Sequence, residues 1–151
     1  MRVFSGDAGH IYQIHKMYLE YLADVGASVS SEIKKDLFMW VPRFAETGFF
    51  VKLAMHGKLN VGMCWGRVTE KRLSSDEKST EKRIEVEGIF IRRGFRGRIK
   101  AIKKLLDGLN DILCQTSAVA ISTIVPENLV KSASRKGFKV SGILVEKRLG
   151  A

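Results

Sequence analysis

The sequence predicts an α/β (α+β) domain with a mixed, mostly antiparallel central sheet flanked by helices. Three observations carry that expectation. Apolar runs of strand character, separated by short turn segments, fill the middle of the chain. Stretches of helical period lie on both sides of them. Near Val86 a strand-like run hands over to a long helical pattern and then to another apolar run, the order of a βαβ crossover. A chain of 151 residues suits one domain, 1–151, large enough to bury a core. With 45% hydrophobic and 28% charged residues, it has the composition of a globular protein, which argues against disorder.

The elements follow in order. "MRVFS" reads as a short strand. Asp7 then suits the N-cap of a helix carrying Ile11, Ile14, Met17, Tyr18 and Tyr21, which Gly26 ends. Ser30 or Ser31 caps a second helix with Ile33, Leu37, Phe38 and Trp40, stopped or kinked at Pro42. From Gly48 the period changes: "FFVKLAM" and "LNVGMCWGRV" are strands joined through "HGK" in a hairpin. "EKRLSSDEKSTEKR" is polar and reads as an exposed, mobile connection. "IEVEGIFI" is the next strand. Ile99, Ile102, Leu105, Leu106, Leu109, Ile112 and Leu113 then form the apolar stripe of a helix. "AVAISTIV" is the continuous run expected of a central strand covered on both faces, closed by Pro126. "ENLVKSASRK" reads as a short helix ended by Gly137, and "FKVSGILVEKRL" as a final strand or hairpin arm.

Composition excludes some classes. No apolar run reaches the ~20 residues of a membrane span. The beginning, "MRVFSGDAGH", lacks a signal peptide's apolar core, so a cytoplasmic location and no membrane partner are expected. Cys64 and Cys114 sit in apolar contexts and read as free buried thiols. His10, His15 and His56 are scattered without ligand spacing, so no metal is expected. The formal charge of +10 attracts anionic partners at long range, and a solvated basic surface is the plain alternative.

Much of that charge lies in "RRGFRGRIKAIKK". A phosphate cradle is one reading. The cluster stands between a strand and a helix start, where unpaired amides and the positive end of the helix dipole favour an anion. A nucleic-acid patch is another, with Phe95 stacking on a base. A solvated helix start without a ligand is the third. Position favours the first, because a generic nucleic-acid patch has no need of a strand-to-helix junction.

The stretch "VEGIFIRRGFRGRIKAIKKLL" resembles the strand, pyrophosphate loop and helix of the Gcn5-related N-acetyltransferases, whose loop pattern is Arg/Gln-x-x-Gly-x-Gly/Ala. "PENLVKSASRKGFKVSGILVEKRL" resembles the closing helix, Gly-Phe and last strands of that family, and the element order fits across nearly the whole chain. "VEGIF" is especially similar to the aminoglycoside-type and related small-amine enzymes. The resemblance implies acetyl-coenzyme A as cosubstrate and an amine as acceptor, small molecule or protein. By position, Arg96 matches the opening Arg of the loop and Ala101 the closing Gly/Ala. The backbone amides of Arg96, Gly97, Arg98, Ile99, Lys100 and Ala101 are then expected to hold the pyrophosphate. Ile99 replaces the middle Gly, and its β-branched side chain can obstruct a phosphate's approach.

Acetyl transfer to an amine needs a proton acceptor, a donor to the oxyanion, and a proton for the leaving thiolate. Glu87 is the expected base: alternation puts it on one face with Ile89 and Ile91, which predicts partial desolvation and a raised pKa. In the aminoglycoside-type enzymes that this stretch resembles, a Glu before Gly faces the substrate amine. The competing reading pairs Glu87 with a nearby Arg or Lys. Glu85, nearer the polar connection, is expected to be solvated. The resemblance implies that the N–H of Ile89 or Ile91 polarises the acetyl carbonyl where the strand splays from "AVAISTIV". The family's Tyr acid falls at Ala133, with Ser132 or Ser134 as water-mediated substitutes, and Asn128 matches a cofactor-touching position or a local cap. Phe38, Trp40 and Trp65 could line an acceptor pocket, but core is the expected role. Cys114 has no base nearby to make it a nucleophile.

The expectation is therefore an acetyl-coenzyme A-dependent N-acetyltransferase acting directly on a primary amine, with Glu87 as base. The alternative keeps the fold without the chemistry, in a structural or nucleic-acid-associated role. Homodimerisation stays open.

Overall fold

The computed structural model describes residues 1–72, 80–95 and 97–123, together with Lys131 and Arg135, both in helical backbone. β1 (Arg2–Ser5) leads through a 3₁₀ turn into α1 (Ile11–Asp24). Asp7 caps that turn, accepting from the Gly9 N–H at 2.8 Å, while its own N–H donates to His10 Nδ1 at 3.1 Å. Ser30 caps α2 (Ser31–Lys35), its hydroxyl accepting from the Ile33 N–H. The expected single second helix is in fact broken at Asp36. A 3₁₀ turn follows, and then α3 (Trp40–Ala45). Pro42 does not stop that helix; it lies in its first turn, where a missing N–H costs no hydrogen bond.

The sheet has the order β1-β2-β3-β4-β5, with β2 Phe49–His56, β3 Leu59–Arg72, β4 Thr80–Ile91 and β5 Ala120–Thr123. The first three pairings are antiparallel and β4–β5 is parallel, which is the mixed, mostly antiparallel sheet expected. The polar connection is much shorter than expected. β3 and β4 continue through residues 70–72 and 80–83, because the register sets Glu70 against Lys82 and Lys71 against Glu81. β2 accompanies β3 only as far as Phe49 opposite Arg67, so the hairpin overruns the sheet. Among the described residues β5 is an edge strand. Ala120 and Ile121 are half-buried and Ser122 is exposed; the end of the expected central strand, and the final strand expected after it, lie outside the described residues.

Two apolar layers sandwich the sheet. On one face α4 (Arg98–Thr116) buries Ala101, Leu105, Leu109 and Ile112 against Ala54, Cys64, Ile84 and Ile91. On the other, Ile14 and Met17 of α1 and Trp40 of α3 pack on Val51, Leu53, Met63, Trp65 and Phe90. Each large side chain so buried contributes about 1.5–3 kcal/mol. His15, buried beneath α2, is fully satisfied: Trp40 Nε1–H donates to its Nδ1 at 3.1 Å, leaving Nε2 to donate to the Lys34 carbonyl at 3.3 Å. Three core expectations are corrected. Phe38 is 75% exposed, Ile99 at the head of the expected α4 stripe is 69% exposed in the first turn, and Cys114 is exposed because it lies off the stripe, two residues past Ile112. Among the described residues no helix is long and apolar enough to cross a membrane.

Candidate functional site

The site grows out of one irregularity in β4. Trp65 pairs with Gly88 but Gly66 with Val86, so Glu87 has no partner across the ladder. That is a β-bulge, an extra residue that re-aims the strand. Gly66 permits it. A Cβ there would stand 2.0 Å from the Glu85 carbonyl oxygen and 3.0 Å from the Val86 Cα.

The bulge resets the alternation on which the sequence reading relied. Ile84, Val86, Ile89 and Ile91 all face the α4 layer. Glu87 points to the opposite face and meets α3 and β3 there, so it does not share a face with Ile89 and Ile91. Its Oε2 accepts from Arg43 Nη2, and its Oε1 from Arg67 Nε at 2.9 Å. Arg43 is itself seated on aromatic rings, 4.7 Å from the Phe49 centroid and 5.5 Å from that of Trp40. Burial alone would raise the Glu87 pKa, as expected from sequence, but the two guanidiniums outweigh it and hold the carboxyl below its ordinary range. The raised pKa is thus corrected to a lowered one.

Backbone direction past the bulge follows from one bond. The Arg92 N–H donates to the Val61 carbonyl at 2.9 Å, and Ile91 lies opposite Gly62, so the amides of Phe90 and Arg92 point toward β3. Those of Ile89 and Ile91 point the other way, to the flank where β5 runs. The described part of β5 ends at Thr123, opposite Val86.

At the end of β4 the chain turns. Phe95 N–H donates to the Arg92 carbonyl at 3.3 Å, with Gly94 at φ 79° in the turn's third position. Gly97, at φ 89°, is the N-cap of α4 and offers no side-chain cap. Ala101 N–H donates to the Gly97 carbonyl at 3.0 Å and is committed to the helix. Of the amides expected to face a diphosphate, those of Gly97, Arg98, Ile99 and Lys100 therefore lack an acceptor within the helix. Ala101 contributes a fully buried methyl instead. Ile99 is 69% exposed, so its side chain is not packed into the seat.

The arginine cluster divides. Arg92 makes a bidentate pair with Glu20 of α1 at 2.8 and 3.1 Å, and Arg93 pairs with Asp24. With Phe90 and Ala23 these four line a cleft of about 500 Å³ between α1 and the end of β4. Phe95, offered as a base-stacking ring, packs half-buried on the core and edge-on to His56. The nucleic-acid reading thus loses its aromatic and finds two of its cations already paired. The competing reading, a carboxylate paired with a nearby Arg or Lys, is what the structure shows, although sequence reasoning did not name Arg43 and Arg67 as the partners. Their signal, two arginines on separate elements, acquires meaning only once the bulge brings Glu87 to them. Trp65 and Trp40 are core, as expected. Arg96, Asn128, Ser132, Ala133 and Ser134 lie outside the described residues.

No family model matches the chain, and no curated protein matches it. Solved structures do. A probable acetyltransferase shares 17% identity at a TM-score of 0.76, over 100% of this chain and 98% of that one. A predicted acetyltransferase with acetyl-CoA from Clostridium acetobutylicum shares 14% at 0.74, over 97% and 95%. AAC(6')-Iy, in complex with the bisubstrate analog CoA-S-monomethyl-acetylneamine, shares 14% at 0.73, over 99% and 98%. The fold is that of these acetyltransferases, as the resemblance to the Gcn5-related N-acetyltransferases implied.

Proposed function

We propose that this chain is a Gcn5-related N-acetyltransferase that uses acetyl-coenzyme A to acetylate a primary amine by direct transfer. One observation carries the reading. A single run of chain sets out a bulged carboxylate at Glu87, the amides of Ile89 and Ile91 aimed off the ladder, and the uncommitted amides of Gly97–Lys100. Likeness of fold to acetyltransferases, one of them with acetyl-CoA, supports it.

Acetyl-coenzyme A, when bound, supplies an activated thioester acetyl group. The amides of Gly97–Lys100 seat its diphosphate, helped by the positive end of α4. The N–H of Ile89 or Ile91 donates to the acetyl carbonyl oxygen as it gains charge. Glu87, kept ionised by Arg43 and Arg67, attracts the acceptor ammonium and takes its proton as a guanidinium is drawn away. The freed amine would then form the C–N bond as the C–S bond breaks, with water supplying the proton for the leaving thiolate. Direct transfer is supported by the thiols, neither of which suits a covalent carrier: burial pushes Cys64 up to about 12, and Cys114 stands on the outer side of α4. The protein works away from membranes, in the cytoplasm.

Calorimetric titration with acetyl-coenzyme A tests this. Micromolar binding is expected, weakened by Arg96→Ala. Glu87→Gln is expected to abolish thiol release with cofactor affinity nearly unchanged. No binding refutes the reading, and full turnover by Glu87→Gln removes that residue from the mechanism.

A further inference from the structure

Two guanidiniums hold Glu87, and they are not equivalent. Arg43 is 22% exposed, stacked on two rings and bonded to Oε2. Arg67 is 43% exposed and binds Oε1 only through Nε. The nearest partner of its terminal nitrogens among the described residues is Glu46, with Nη1 3.9 Å from Oε2, beyond hydrogen-bonding distance. Among the described residues the candidate base thus has beside it a guanidinium with unused donors. Glu46, 48% exposed, and Glu85, directly across the ladder from Arg67, add their charge to that of Glu87, so what sets Arg67 apart from Arg43 is its exposure and its open fork.

We propose that the acceptor is an amine carrying its own carboxylate, of amino-acid type, and that Arg67 is the specificity-determining residue that receives the carboxylate. The inference rests on the acetyltransferase reading and names its substrate class. A guanidinium fork matches a carboxylate bidentately. Taking the acceptor's carboxylate turns Arg67 away from Oε1, which frees that oxygen for the amine of the same molecule. Arg43, fixed on its rings, keeps Oε2 and hence the position of Glu87. The net charge of +10 draws anionic molecules in and opposes polycations.

The test compares amines that differ only by the carboxylate: lysine with cadaverine, and phenylalanine with phenethylamine. Thiol release from acetyl-coenzyme A gives kcat/KM for the unmodified protein, Arg67→Gln and Arg67→Lys. The carboxylate-bearing member is expected to be favoured by about tenfold or more, the worth of one charge-assisted hydrogen bond. Arg67→Gln brings the ratio toward one, and Arg67→Lys restores part of it. Equal use of both members, preference for the decarboxylated one, or a ratio untouched by Arg67→Gln overturns the proposal. Calorimetry of the same amines against the unmodified protein and Arg67→Gln reads the preference without turnover. A preference for the carboxylate member that Arg67→Gln removes supports it, and none overturns it. Failure to bind acetyl-coenzyme A, by contrast, tells against the enzymatic reading alone.

Discussion

Gly66→Ala puts the bulge itself to trial. The new methyl would sit 2.0 Å from the Glu85 carbonyl oxygen, 3.0 Å from the carbon of that carbonyl and 3.0 Å from the Val86 Cα. All three are backbone atoms of the neighbouring strand, so no rotamer change relieves the clash and the β3–β4 ladder must part locally. Overpacking against a rigid neighbour costs about 3 kcal/mol. In a domain of this size each kcal/mol moves Tm by about 2–4 °C, so a fall of about 6–12 °C is expected. Gly57→Ala is the control: φ is 61° there and nothing lies within 4 Å of a Cβ. It carries only the left-handed backbone strain, about 1–2 kcal/mol. Thermal melts followed by circular dichroism compare the two. If Gly66→Ala melts within about 2 °C of the unmodified protein, or no lower than Gly57→Ala, the crowding at the bulge is wrong.

Two further outcomes follow from the same geometry. The Glu87 pKa is lowered in the folded protein, so its ion pairs stabilise above the unfolded-state pKa and are lost as pH falls through the lower folded value. The stability gap between the unmodified protein and Glu87→Gln is therefore expected to be full at pH 6 and to close below about pH 4; a gap that widens on acidification refutes the pairing. A thiol reagent is expected to modify Cys114 promptly and Cys64 only after unfolding, one equivalent and then a second, since Cys64 is fully buried. Two fast equivalents in the native protein would contradict the packing under α4.

Period and turn chemistry made most of the described scaffold readable. The Asp7 and Ser30 caps, the β2–β3 hairpin and the α4 stripe all follow from local sequence, because each is decided by neighbours a few residues away. The long hairpin escaped because its charges look like a solvated loop until Glu70 meets Lys82 across the ladder. At the site, the strand-to-helix junction with its uncommitted amides was legible, and so was Glu87 as a residue of the bulged strand. Its surroundings were not. A bulge moves a side chain from one face to the other, and strict alternation cannot foresee it. The sign of the Glu87 shift depended on that reversal, since only the α3 face holds Arg43.

The β3–β4 arms beyond Phe49 present a stretch of ladder that β2 leaves uncovered. Bare strand margins recruit other chains, and nature blunts them with charge. The sequence of this margin carries charged residues at Glu70, Lys71 and Arg72, which disfavour such recruitment. Replacing Glu70 and Lys71 with valines would leave Glu87 and its arginines in place and yet favour aggregation on concentration, which light scattering would read.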